Sequence, residues 1–216
     1  MAVTFQLSAD DRDQLCELVN IGVSHASTTL SQLLKHRVAI SVPTVDVKSA
    51  ESALQFLENS NELTVAVLLK ISGGIDGYVF LIFPHDAVSH LVHSLSGKNI
   101  DDLRTLDDFD RSTIQEVGNV LTGGMLNGLS RFLHIKLIHS VPDVVVDMGV
   151  AMFNSLSASM MLSSDEFLSL DVAICVDAAP QSIACAGGEM ATGRMFLFLG
   201  PEAAERILSL TRAMVA

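Results

Sequence analysis

Two sets of residues in this 216-residue chain have the types and the spacing to act on a bound partner. The first is Asp13, Glu17 and Asn20, with Pro43 following after twenty-two intervening residues. The second is Ser112, Glu116 and Asn119, with Pro142 at the same interval. On a helix that advances ~100° per residue, side chains at i, i+4 and i+7 fall within an arc of roughly 60°, so each set forms one polar edge. Neither Glu nor Asn is a good nucleophile here, and the sequence shows no Ser-His-Asp or Cys-His arrangement. A carboxamide can donate and accept hydrogen bonds at once, which suits it to holding a water in line with a phosphorus atom. Phosphoryl transfer depends mainly on such positioning. A single edge of this kind is usually a solvated helix face. Its recurrence with the same proline interval is what raises it to a candidate site.

Each edge needs a helix and a returning strand to position it. Ser8 and Asp11 give a cap-like start, and Asp10, Asp11 and Asp13 suit the positive end of a helix of about seven turns. About 16 helical residues after Asn20 travel ~24 Å before the chain turns at His36-Arg37, and a strand over 38–43 returns ~17 Å. Pro43 is therefore expected at the rim of the site that Asn20 faces. Leu15, Leu18, Val19, Gly22, Ala26, Thr29 and Leu33 lie opposite the edge and are expected in the core. Ser24, Ser27 and Ser31 continue the edge with small side chains. Gly123-Gly124 stands where the first copy has Ser24-His25, and permits either close helix packing or close approach of a partner.

The pattern Asp/Ser-x3-Glu-x2-Asn-x22-Pro resembles the signature of the CheC family of chemotaxis phosphatases, whose members include CheX and FliY. The surrounding words are similar too: Glu17-Leu-Val-Asn-Ile-Gly, and Glu116-Val-Gly-Asn-Val-Leu-Thr-Gly with Leu126-Asn-Gly-Leu-Ser130. The resemblance implies that Asn20 and Asn119 orient the water attacking the aspartyl phosphate of a CheY-like response regulator, and that Glu17 and Glu116 pair with the regulator's lysine. Mg²⁺ would be held by the regulator, and no cofactor by this chain. Asp13, Ser112, Pro43 and Pro142 belong to the motif in a docking or capping role. Two motifs in one chain resemble CheC more than CheX, and imply a monomer and a complex with the deamidase CheD. The alternative is a noncatalytic scaffold, because the flagellar switch protein FliM resembles the same fold without the phosphatase residues.

Composition narrows the partners. Hydrophobic residues make up 49% and charged residues 18%, which describes a densely cored globular chain. The formal net charge of -12 disfavours nucleic acid and acidic membranes. No segment reads as a signal peptide or a transmembrane helix, so a cytoplasmic protein is expected. Cys16, Cys175 and Cys185 have neither disulfide nor zinc spacing and read as reduced thiols. Asp86, His90 and His93 share a helical face and could bind a metal, but a wet surface patch is the better reading.

Along the rest of the chain, runs at 63–71 and 77–83 predict a hairpin, and Pro84 opens a helix ended by Gly97. Strands are predicted over 141–146, 156–162, 168–176 and 194–199, a loop over 178–192, and a helix over 201–214. The halves align at an offset of ninety-nine through the motif helices, and Gly77, Phe80, Leu81 and Ala87 recur as Gly193, Phe196, Leu197 and Ala203. The predicted fold is α+β: one domain over 1–216, internally duplicated as two fused repeats (8–98 and 107–215). Long motif helices would pack on a mainly antiparallel sheet with pseudo-two-fold symmetry.

Overall fold

The computed structural model describes residues 7–41, 44–161, 164–177, 179–181, 183–184 and 190–215. Helix α1 (Ala9–Leu34) leads to strands β1 (Val38–Ile40) and β2 (Thr44–Lys48) and a short helix α2 (Ala50–Leu54) that runs into a 3-10 turn (Gln55–Leu57). Strands β3 (Leu63–Gly73) and β4 (Gly77–Pro84) and helix α3 (His85–Ser96) follow. The order then recurs: α4 (Asp108–Leu133), β5 (Leu137–His139), β6 (Asp143–Met148), α5 (Gly149–Met161) and β7 (Phe167–Val176). A small ribbon, β8 (Ile183–Ala184) with β9 (Met190–Ala191), precedes β10 (Gly193–Leu199) and α6 (Pro201–Val215).

All pairings in the main sheet are antiparallel. Its centre is the β4–β10 ladder, with Phe80 opposite Phe196 and Leu81 opposite Met195. Outside β10 lies β7, which takes β1 along Ile174–Val176 and β2 along Phe167–Asp171. Outside β4 lies β3, which takes β5 and β6 in the same way. The strands that follow α1 therefore pair with the later part of the chain, and those that follow α4 pair with the earlier part. Each motif helix is strapped to a strand of the other half.

One sheet face carries α1, α4, α3 and α6 over a core that includes Leu15, Leu18, Val67, Leu81, Val117, Leu121, Val172 and Leu197. The other face is covered by α2, the 3-10 turn and α5, over Phe80, Ile82, Phe167, Phe196 and Phe198. On that face Arg194 and Asp171 form a buried ion pair, with the guanidinium 4.2 Å from the Phe56 ring centroid and 4.7 Å from that of Phe196. A strand pairing and two rings from separate elements create this site, so no local sequence signal announces it.

Two expectations need correcting. The 156–162 segment, to the extent that it is described, is not a strand but the end of α5. Met152, Leu156 and Met160 recur every four residues and pack onto the second sheet face, so the helical period prevailed over a short apolar run. On α1 the buried stripe runs Gly22, Ala26, Leu30 and Leu34, leaving Thr29 exposed and Leu33 half-buried. A stripe that steps by four drifts around a helix of 3.6 residues per turn, away from the 29 and 33 positions. The 178–192 loop falls partly outside the described residues, and its described parts include β8 and β9.

Candidate functional site

The two motif helices are built alike. Each has 26 residues. Each begins with a capping box, Ser8 with Asp11 and Asp107 with Asp110, and each ends at a left-handed residue, Lys35 or His134. Near its end each carries a serine whose Oγ accepts a hydrogen bond from the first strand residue: Val38 N to Ser31 at 2.9 Å, and Leu137 N to Ser130 at 3.2 Å. Ser41 and Ser140 then pin the strand ends to Ala173 and Lys70 through both backbone and hydroxyl. Ser27 also donates to the Val38 carbonyl at 2.6 Å. Of the three serines below Asn20, two therefore hold β1 to α1 and are not an open collar.

The helices cross antiparallel at small residues. A Cβ on Gly128 would sit 2.3 Å from Gly22 Cα, one on Gly22 2.6 Å from the Met125 carbonyl oxygen, and one on Gly124 2.7 Å from Ala26 Cα. Gly124 thus serves helix packing, whereas a side chain on Gly123 would meet only His139 Nε2, at 3.6 Å. Glu17 and Glu116 lie on opposite sides of this crossing, and at 1.5 Å rise per residue they stand ~24 Å apart along the helix axes.

Cross-half ion pairs hold both helix starts. Asp11 is buried and accepts two hydrogen bonds from Arg212 of α6, each 2.7 Å, which hold its carboxyl far below the usual carboxylate range. Asp110 is buried and receives Lys98, which follows α3. Lys98 also bonds Asp107 at 2.8 Å and draws its pKa down to about 2. These acids orient the helices and stand apart from the polar edges.

On the second edge Ser112, Glu116 and Asn119 are all exposed. With Gln115, His139, Ser140, Val141 and Pro142 they line a shallow depression of about 390 Å³. Gln115 Nε2 donates to the Pro142 carbonyl at 3.0 Å, which fixes the proline loop against α4. Ser112 Oγ donates to the Asp108 carbonyl at 2.7 Å, so its hydroxyl is engaged by its own helix. His139 Nδ1 lies 2.9 Å from the Ser140 carbonyl oxygen, which only accepts, so Nδ1 carries the proton and Nε2 remains toward Gly123.

On the first edge Asp13 and Glu17 are exposed and Asn20 is half-buried. Arg12 Nη2 donates to Asp46 Oδ1 at 3.2 Å and ties α1 to β2 beside the edge. Burial, with Asp13 nearby, pushes the Cys16 thiol up and so lowers its thiolate fraction. Pro43 and Val42 lie outside the described residues, as does Cys185. Among the described residues, nothing hydrogen-bonds or ion-pairs with the side chains of Glu17, Asn20, Glu116 or Asn119. Both edges thus present polar side chains that have no protein partner among the described residues.

The profile of the CheC-like family matches residues 12–46 and 109–146, the two helix-and-strand segments just described. Over these two segments, about a third of its length, the chain is similar to the CheC-like family. A relative in Bacillus subtilis (strain 168), named CheY-P phosphatase CheC, is 27% identical over 150 residues, spanning 68% of this chain and 72% of that one. Solved structures share its fold, two of them as follows. FliY of Thermotoga maritima superposes with a TM-score of 0.72 at 18% identity, over 97% of this chain and 99% of that one. The FliM middle domain of H. pylori superposes with a TM-score of 0.63 at 12% identity, over 94% and 99%.

Sequence reasoning missed Gln115, His139 and Val141 as residues lining the depression beside the second edge. Gln115 and His139 gave no signal because their equivalents at the ninety-nine offset are Cys16 and Ile40, so the repeat that exposed the motif hid them. Val141 could have been found by its place beside the motif proline. Among the described residues no three His, Cys, Asp or Glu side chains cluster as metal ligands, and no helix is long and apolar enough to cross a membrane.

Proposed function

We propose that the chain accelerates hydrolysis of the aspartyl phosphate of a CheY-like response regulator in chemotaxis signalling. Asn20 and Asn119 each hold a water in line with the phosphorus, and Glu17 and Glu116 each pair with the regulator's active-site lysine. The water oxygen bonds to phosphorus, the P–O bond to the aspartyl carboxylate breaks, and the water proton leaves with inorganic phosphate. Mg²⁺ sits on the regulator, and this chain contributes positioning alone. The proposal treats 8–98 and 107–215 as two repeats of one domain, each carrying one site. The observation that carries it is the pair of polar edges, each with a carboxylate and a carboxamide one helical turn apart and without a side-chain partner among the described residues. The name of the B. subtilis relative supports the same reading.

The test is the decay of a phosphorylated CheY-like regulator with Asn20→Ala and Asn119→Ala combined. Acceleration should fall on the order of a hundredfold, as expected when a reacting group loses its positioning, while circular dichroism stays unchanged. Undiminished acceleration by the double variant overturns the proposal. The second reading, a noncatalytic scaffold, is favoured by the likeness to the FliM domain. It requires stable binding to a flagellar switch or chemotaxis protein with no change in phosphate lifetime. A complex with CheD is tested by co-purification.

A further inference from the structure

Every large apolar side chain that is more than a third exposed among the described residues belongs to α4, β5, β6 or the loop between those strands: Phe109, Phe132, Ile138, Val141 and Met148. Two of these border the second edge. Val141 is 82% exposed and lines the depression beside Glu116 and Asn119. Phe109 is 64% exposed and precedes Ser112 by three residues, so Phe109, Ser112, Glu116 and Asn119 fall within roughly 80° of one another around α4. The first edge carries Asp10 where the second has Phe109. Isolated exposed apolar residues are ordinary, but one on the helix face of an exposed polar edge and one lining the depression beside it together have the makeup of an interface.

We propose that Phe109 and Val141 form the docking rim of the second site, seating an apolar patch beside the phosphoryl group of the partner regulator. The inference rests on the reading above and adds a difference between the sites. Phe109 and Val141 act as apolar anchors that bury against partner surface next to the Glu116 and Asn119 contacts, the aromatic ring supplying most of the area. The partner is committed by continuity: the rim adjoins a carboxylate that needs a cation and a carboxamide that needs a water and an electrophile. Asp108 and Asp143 border the rim and favour basic groups on the partner just outside the apolar patch.

The experiment uses the full chain with Glu17→Lys and Asn20→Ala, which leaves the second site. Phe109→Asp, which reproduces Asp10 of the first edge, is combined with Val141→Ser. Both side chains are exposed, so the melting temperature should not move. Two quantities are read: kcat and KM for dephosphorylation of a CheY-like regulator from the same cell, and Kd for that regulator locked with trifluoroberyllate. Loss of an aromatic anchor predicts KM and Kd each raised about tenfold with kcat unchanged. Values within twofold of the parent overturn the proposal. If the unmutated chain sediments as a dimer and the rim variant as a monomer, a second copy covers the patch and the proposal is equally overturned. If the parent has no activity but the rim variant still weakens binding tenfold, the chemistry fails at this site and the docking rim stands.

Discussion

The two motif helices agree in what aims them and differ in what surrounds them. Length, capping box, left-handed end residue, serine pin and strand-end serine coincide position by position between α1 and α4. The rim does not. Asp10 faces Phe109, Asp13 faces Ser112, Ile40 faces His139 and Ser24 faces Gly123. A firmly held helix is a requirement common to both edges, whereas a rim needs only to suit what docks against it. The shared set is thus the aiming device, and the differing set separates one site from the other.

The crossing of the helices is where both sites can be broken at once. Gly22→Leu places a side chain into the Met125 backbone, with no flexible group to yield. Overpacking there should cost about 3 kcal/mol, lower Tm by roughly 10 °C and reduce turnover at both sites together. Gly123→Ala, two turns along the same helix face from Glu116, meets only the His139 ring at ordinary contact distance and should raise Tm by about 2 °C through helix propensity. Equal thermal loss from the two substitutions would show that the crossing is not the shared support.

The helix starts come next. Replacing Asp11 by Ala removes a cap acceptor and the Arg212 clamp, and should cost about 2 kcal/mol by chemical denaturation, the upper end for a lost cap. The folded-state pKa values of Asp11 and Asp107 are depressed, so the folded state binds fewer protons than the unfolded state as pH falls. Their stabilisation is full above the ordinary carboxylate value of 3.8 and fades below it, for Asp107 through about 2 and for Asp11 lower still. Acid titration of stability should therefore decline less steeply below pH 4 in Asp11→Ala than in the unmutated chain. An unchanged slope would mean that Asp11 does not carry the acid sensitivity.

How much of this was legible beforehand follows from the range of each interaction. The polar edges, the first cap and the hairpin are set within a few residues, so spacing alone places Glu17, Asn20, Glu116 and Asn119 on two helices. The exchange of straps between halves was hidden, because Val38 and Val176 find each other across the whole chain. The same holds for the Arg194–Asp171 pair and for Arg212 on Asp11. Gly124 left two roles open in sequence because only the facing helix could choose between them. The 156–162 segment misled because a helix buried against a sheet and a buried strand have similar apolar content over so short a run.

The docking difference predicts unequal losses from the single asparagine variants. If the apolar rim makes the second site about tenfold more effective in kcat/KM, as one strong anchor would, Asn119→Ala removes about nine tenths of the total and Asn20→Ala about one tenth. Initial rates at subsaturating phosphorylated regulator measure both. Equal losses would place the two sites on the same footing and deny the rim any influence.

The smallest effect concerns the leading residues. Ser112 spends its hydroxyl on the Asp108 carbonyl of its own helix, so it has little left to offer a partner at the depression. Ser112→Asp gives up that backbone bond but places a carboxylate in the second turn of α4, where the helix dipole returns a few tenths of a kcal/mol. Stability should move by less than about 0.5 kcal/mol and kcat/KM at the second site by less than twofold. The reciprocal Asp13→Ser should be equally mild, because Asp13 is exposed and none of the ion pairs found among the described residues involves it. A tenfold loss from Asp13→Ser alone, with Ser112→Asp silent, would make Asp13 a docking charge of the first site and extend the difference between the rims by one residue.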